Sequence, residues 1–200
     1  MQKTYIALLI QSAMFTGAFS APASAAVCQS ASNNVQCGGG GTLLQKIGEG
    51  RNTSNATVSV DANTVLNGGN APAISLNDGN VVNVSGTVEN AAQAGSVGLL
   101  NAGANTIEVV SNSQITVTPS GVVMSNGRVN NAEAVNVMGF GNTIINRGHI
   151  QTNGNAAALW FQDDERSYGA PTVRNRVENF GVIARGTSET GTAPVFGTSS

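Results

Sequence analysis

The stretch NTIINRGHI, Asn142 to Ile150, returns thirty-three residues later as NRVENFGVI, Asn175 to Ile183. Asn, a branched apolar residue, Asn, Gly and Ile fall at the same offsets in both, and the positions between them change freely. A skeleton kept while its filling varies marks positions that touch a copy of themselves. Apolar residues at alternate positions give the period of a β-strand. Gly and Asn supply the sharp, left-handed corners between strands.

The skeleton extends toward the N-terminus. NVVNVSGTV (Asn80 to Val88) repeats it, NTIEVVSNSQI (Asn105 to Ile115) matches with two residues inserted, and TVSVDANTV (Thr57 to Val65) matches one residue out of phase. The closing residues are then Val65, Val88, Ile115, Ile150 and Ile183, spaced 23, 27, 35 and 33 apart. After each comes a Gly and a second apolar patch: Ala71–Leu76, Ser96–Leu100, Gly121–Met124, Ala156–Phe161 and Ala193–Phe196. Units of this length built from very short strands cannot bury their own apolar faces, but stacked copies can. The expected fold is therefore all-β, a right-handed parallel β-helix of about five irregular coils over residues 57–200. A ladder of Asn side chains is expected at one corner, each amide bonding the next. A β-sandwich shares the turn spacing but has no need of the same Asn and Gly at the same offsets. Extra residues leave the stack as loops, expected at Ser125–Gly139 and Gln162–Thr172.

Residues 1–25 differ in texture. Lys3, the apolar run YIALLIQSAMFTGAF and the A-x-A pattern at Ala23 and Ala25 predict a secretory signal peptide cleaved near Ala25. Residues 26–56 are expected to form an N-terminal cap or linker. They contain both cysteines, Cys28 and Cys37, in CQSASNNVQC. In an exported chain this pair is expected to form a disulfide. A metal or redox pair would need closer spacing or more partners than the single His149. GGGGTLLQKIGEG (Gly38–Gly50) reads as a flexible turn and a short anchor.

Composition narrows function. Of the 200 residues 10% are charged, and the formal net charge is -2. Nucleic acid is excluded as a partner, because phosphate binding needs clustered cations. Here there are two lysines, Lys3 and Lys46, and seven scattered arginines. The densest charged run, Asp163, Asp164, Glu165 and Arg166, is consecutive, so it fans outward as a solvated loop rather than converging on calcium or a glycosidic bond. His149 points outward by alternation. No catalytic triad, metal set or cofactor motif is present, and the chain does not read as an enzyme. Trp160, Phe161 and Tyr168 flank the charged loop and are the candidate ligand contacts, either exposed for stacking or filling a wide corner of the core.

A signal peptide followed by Gly/Asn-rich units such as GNTIINRGHIQTNGNAAALWF resembles the N-terminal passenger region of bacterial autotransporters (type V secretion). The resemblance spans Ala26 to Ser200. It implies export through the periplasm to the outer membrane, cell surface or medium. It also implies an outer-membrane β-barrel translocator as partner, and adhesion to a host protein or glycan as the usual role. The chain stops at VFGTSS within the repeat texture and lacks a barrel-like region, so a fragment of a longer product is expected. The alternative is a secreted carbohydrate-active or sugar-binding β-helix protein.

Overall fold

A computed structural model describes residues 25–90, 105–127, 132–154, 156–185 and 196–198. The expected signal peptide, the patch at Ser96–Leu100 and most of Ala193–Phe196 lie outside the described residues. The chain is all-β. It opens with β1 (Val27–Ala31), β2 (Asn34–Gly38) and β3 (Gly41–Leu44). Then come β4 (Thr57–Val60), β5 (Thr64–Asn67) and β6 (Ile74–Asp78). Next are β7 (Val81–Val84), β8 (Thr87–Asn90) and β9 (Ile107–Ser111). These precede β10 (Gln114–Val117), β11 (Val122–Ser125) and β12 (Val135–Val137). β13 (Thr143–Asn146), β14 (His149–Thr152) and β15 (Leu159–Phe161) follow. After a short helix α1 (Glu165–Tyr168), the last strands are β16 (Arg176–Asn179), β17 (Val182–Arg185) and β18 (Phe196–Thr198).

These strands sort into three sheets. Sheet A is β1-β2-β4-β7-β10-β13-β16, sheet B is β3-β5-β8-β11-β14-β17, and sheet C is β6-β9-β12-β15-β18. From β4 onward each strand pairs in parallel with the strand three places later. Among the described residues the pairing is antiparallel only between β1 and β2, where Cys28 faces Cys37 and the two are joined by a disulfide.

The residues dictate this. β-branched Val, Ile and Thr suit strands, and successive side chains alternate between faces. In β4, β7, β8, β11, β13 and β14 burial alternates accordingly. Inward positions align in register: Val58, Val82, Ile115 and Ile144 on sheet A, Leu66, Val88, Val123 and Ile150 on sheet B, and Ile74, Ile107, Val135 and Leu159 on sheet C. All are buried and belong to one core.

Two closing residues of the repeat fall elsewhere than expected. The inward row on sheet B is Leu66, Val88, Val123, Ile150 and Ile183. Val65 is turned outward and pairs with Thr87, since a slip of one residue reverses the face. Ile115 lies on sheet A between Val82 and Ile144, not on sheet B. The stretch Asn105–Ile115 crosses from sheet C to sheet A at Asn112 and Ser113, so the two extra residues form a corner rather than an insertion. Gly121–Met124, read as a second patch, is the sheet B strand of its unit. Likewise, the expected loop Ser125–Gly139 contains β12, all of whose residues are buried. Regular pairing starts before Thr57: β2 pairs with β4, β3 with β5, and Ile47 bridges to Ile74. Glycine-rich Gly38–Leu44 is therefore largely strand.

The corners explain the conserved skeleton. Between sheets A and B, a Cβ on Gly148 would overlap the carbonyl oxygens of Gly121 and Thr118, and one on Gly181 would overlap the carbonyl of Gly148. Between sheets C and A, Asn55, Gly79, Asn112 and Gly141 take φ of 54, 68, 52 and 74°, the left-handed region where Asn and Gly are tolerated. The Asn ladder runs beside them. Asn80 Oδ1 accepts from Ala56 N (2.9 Å), Asn142 Oδ1 from Ser113 N (2.9 Å) and Asn175 Oδ1 from Asn142 N (2.9 Å). Ser113 takes one place, its Oγ accepting from Asn80 N at 3.1 Å. The dominant bonds thus run from side chain to backbone, which satisfies amides that a corner leaves unpaired. Amide-to-amide bonds join Asn142 to Asn175 (3.0 Å) and Asn146 to Asn179 (2.8 Å).

Candidate binding face

Outward positions of sheet C form one row: Ser75, Glu108, Asn136, Trp160 and Gly197, each the register partner of the next. Glu108 is fixed from two sides. Ser75 Oγ donates to its Oε2 (2.9 Å) and Asn105 Nδ2 to its Oε1 (2.9 Å). Asn105 Oδ1 in turn accepts from Glu133 N at 3.2 Å. Asn136 is buried, and its Oδ1 accepts from Gln162 Nε2 at 3.2 Å. Trp160 is partly exposed. The row is thus a strip of hydrogen-bonded polar side chains ending on an indole.

Glu133 lies in the segment that leads into β12 and is buried. Burial lifts its carboxyl from 4.5 to about 7, the negative Glu108 adds to the rise, and a hydrogen bond from its own backbone opposes it. Asn105 thus links the two acidic residues, donating to the Glu108 carboxylate and accepting from the Glu133 backbone. The sequence concealed this, because no acids recur at matching offsets and Glu133 sits outside any strand. Glu108 was the legible half: it is an outward residue in an apolar strand of a chain with few charges.

The three candidate aromatics do not share a surface. Trp160 faces out on sheet C. Phe161, one residue on, faces in beside Val137 and belongs to the core. Tyr168 closes α1, is 39% exposed, and its hydroxyl lies 3.8 Å from Met138 Sδ. The charged run takes the form of a capped turn. Asp164 Oδ1 accepts from Arg166 N and Ser167 N (both 3.1 Å), and bonds from Ser167 hold its carboxyl below the usual range. Asp163 accepts from Asn175 Nδ2 at 3.1 Å, which ties the loop to the Asn ladder. His149 sits on the outer face of sheet B between Val122 and Val182, and its buried Nε2 has no hydrogen-bond partner. Among the described residues no group of three or more His, Cys, Asp or Glu is placed to hold a metal ion.

Segment lengths single out the edge of this face. From β4 onward sheet A passes to sheet B through residues 61–63, 85–86, 118–121, 147–148 and 180–181, two to four residues each. Sheet B passes to sheet C through 68–73, 91–106, 126–134 and 153–158. Length variation concentrates at the border of sheet C, with one further long connection, 162–175, leaving it. Variable loops on a fixed scaffold are where binding surfaces arise. No protein-family model, curated protein or solved structure matches this chain.

Proposed function

We propose that this chain is an exported, non-enzymatic binding scaffold, a right-handed parallel β-helix of the kind autotransporter passengers carry, with sheet C and its bordering loops as the contact face. The observation that carries this reading is the pairing of each strand with the strand three places later in all three sheets, with apolar rows in register. Parallel strands visited in the order A, B, C are joined by winding around a common core, and such crossovers are almost always right-handed. Each unit then rests on its neighbours alone, which suits a rod that displays loops. The N-terminal residues read as a signal peptide support export, and the expected partners are an outer-membrane β-barrel translocator and a host protein or glycan.

Blotting fractionated cells of the native host with antibody to Thr57–Ser200 tests this. A product at the outer membrane or in the medium, starting near Ala26, is expected. A product smaller than 20.2 kDa held in the periplasm would remove the translocator from the reading.

A second reading, glycoside hydrolysis, is favoured by Glu108 and Glu133. One carboxyl is held by two donors and the other stays protonated up to near neutral pH, the contrast that separates a catalytic base from an acid. Release of reducing ends from a polysaccharide, lost in both Glu108→Gln and Glu133→Gln, would support it.

A further inference from the structure

We propose that Trp160 is the stacking platform of a site for a neutral polysaccharide, flanked by Gln162 and Glu108. The proposal rests on the reading of this chain as a binding scaffold and names its ligand class. Neighbouring strands lie about 4.8 Å apart, so an outward side chain is normally packed on both sides by its register partners. Trp160 has Asn136 on one side and Gly197 on the other. Gly197 contributes no side chain, so the indole has no side chain from that partner laid against it. Sugar rings present an apolar face of C–H groups and a rim of hydroxyls, and they need a flat apolar surface edged by hydrogen-bonding groups. The strip supplies both.

Its polar members are already fixed. Asn136 holds Gln162, while Ser75 and Asn105 hold Glu108, so little side-chain freedom remains to be lost on binding. Asn136, buried at 4% exposure, is a positioning residue rather than a contact.

Charge selects the class. Glu108 lies on this face, and the connection leaving Phe161 carries Asp163, Asp164 and Glu165 against Arg166 and Arg174, so acids remain in excess. A polyanion such as a uronate or sulfated glycan would meet like charge, whereas a neutral hexose or N-acetylhexosamine polymer would not.

The chain contains one tryptophan, so its fluorescence reports on this site alone. The full exported protein would be titrated with cellohexaose, chitin hexamer, polygalacturonate and heparin, and run in native gels containing the matching soluble polymers. A saturable change with at least one neutral hexamer, and none with either polyanion, is expected. Gln162→Ala should weaken binding about tenfold, Trp160→Phe should retain part of it, and Trp160→Ala should abolish retardation in the gel. His149→Gln, on sheet B, should change nothing. No saturable response to either neutral sugar, a preference for a polyanion, or full binding by a folded Trp160→Ala protein would each overturn the proposal. Wild-type titration keeps the test decisive even where Trp160→Ala does not fold. Failure here with the chain still reaching the cell surface sinks the site alone. Binding by a chain confined to the periplasm sinks the displayed-passenger reading alone.

Discussion

A methyl group at Gly148 has no room, because the carbonyl oxygens of Gly121 and Thr118 already occupy its place. The same holds at Gly121 and Gly181, so these glycines are kept for closeness of approach. Gly148→Ala is expected to cost about 2–4 kcal/mol, seen as a lower urea midpoint. At Gly169, where a Cβ would meet nothing within 4 Å, the same change should cost about 1–2 kcal/mol, from the left-handed backbone only. Glu133 gives a second prediction. Its ordinary value of 4.5 rises to about 7 in the folded protein. Between those values the folded chain keeps a proton that the unfolded chain has released. Its contribution therefore lowers stability as pH rises through that window, and the loss is complete above about 7. The full effect is on the order of 3 kcal/mol. Urea midpoints measured at pH 4.5 and pH 8 should fall more steeply for the native protein than for Glu133→Gln.

At the scale of elements, the three corners are not equivalent. Four extra Gly/Ser residues after Asn70, in the sheet B to sheet C connection, should lower stability by less than about 1 kcal/mol, since closing a slightly longer loop is cheap. The same insert after Ser85 would separate Gly86 from the carbonyls it nests against and should cost about 3 kcal/mol or more. Thermal melts of the two variants would show the contrast. The corners also decide what could be read in advance. NTIINRGHI and NRVENFGVI place Ile144, Asn146, Gly148 and Ile150 correctly on two sheets and the corner between them, because both copies share one register. Ile115 was misplaced since Asn112 and Ser113 look like strand residues until the left-handed φ at Asn112 turns them into a corner. Val65 was misplaced by a single step of a period-two pattern. Trp160 and Phe161 are adjacent in sequence and therefore on opposite faces, so grouping them ran against alternation. Glu108 and Glu133 share Asn105 as a hydrogen-bond partner where β9 pairs with β12, a register that no local pattern encodes.

At the scale of the whole molecule, each of β7 to β15 pairs with the strands three places before and after it, while among the described residues β16 and β17 pair on one side. Amide exchange should therefore be slowest in β10, β11, β13 and β14 and faster in β16 and β17, where Val182 is 49% exposed and Phe180 in the corner between them 68%. Equal protection throughout would contradict a stack governed by its nearest neighbours. The opposite end is finished differently, by the antiparallel β1 and the bond between Cys28 and Cys37. That bond has a mechanical meaning. Tension applied at the N-terminus passes through the sulfur atoms straight to Cys37 and leaves the turn between them slack. Stretching would peel sheet A from Gly38, and the bridged segment would yield no length however hard it was pulled. With a sequence separation of 9 between the cysteines, reduction should lengthen the fully stretched chain by about 25–30 Å in a single-molecule pulling trace. The hairpin is a sealed tether point, and force enters the first parallel rung at its far edge.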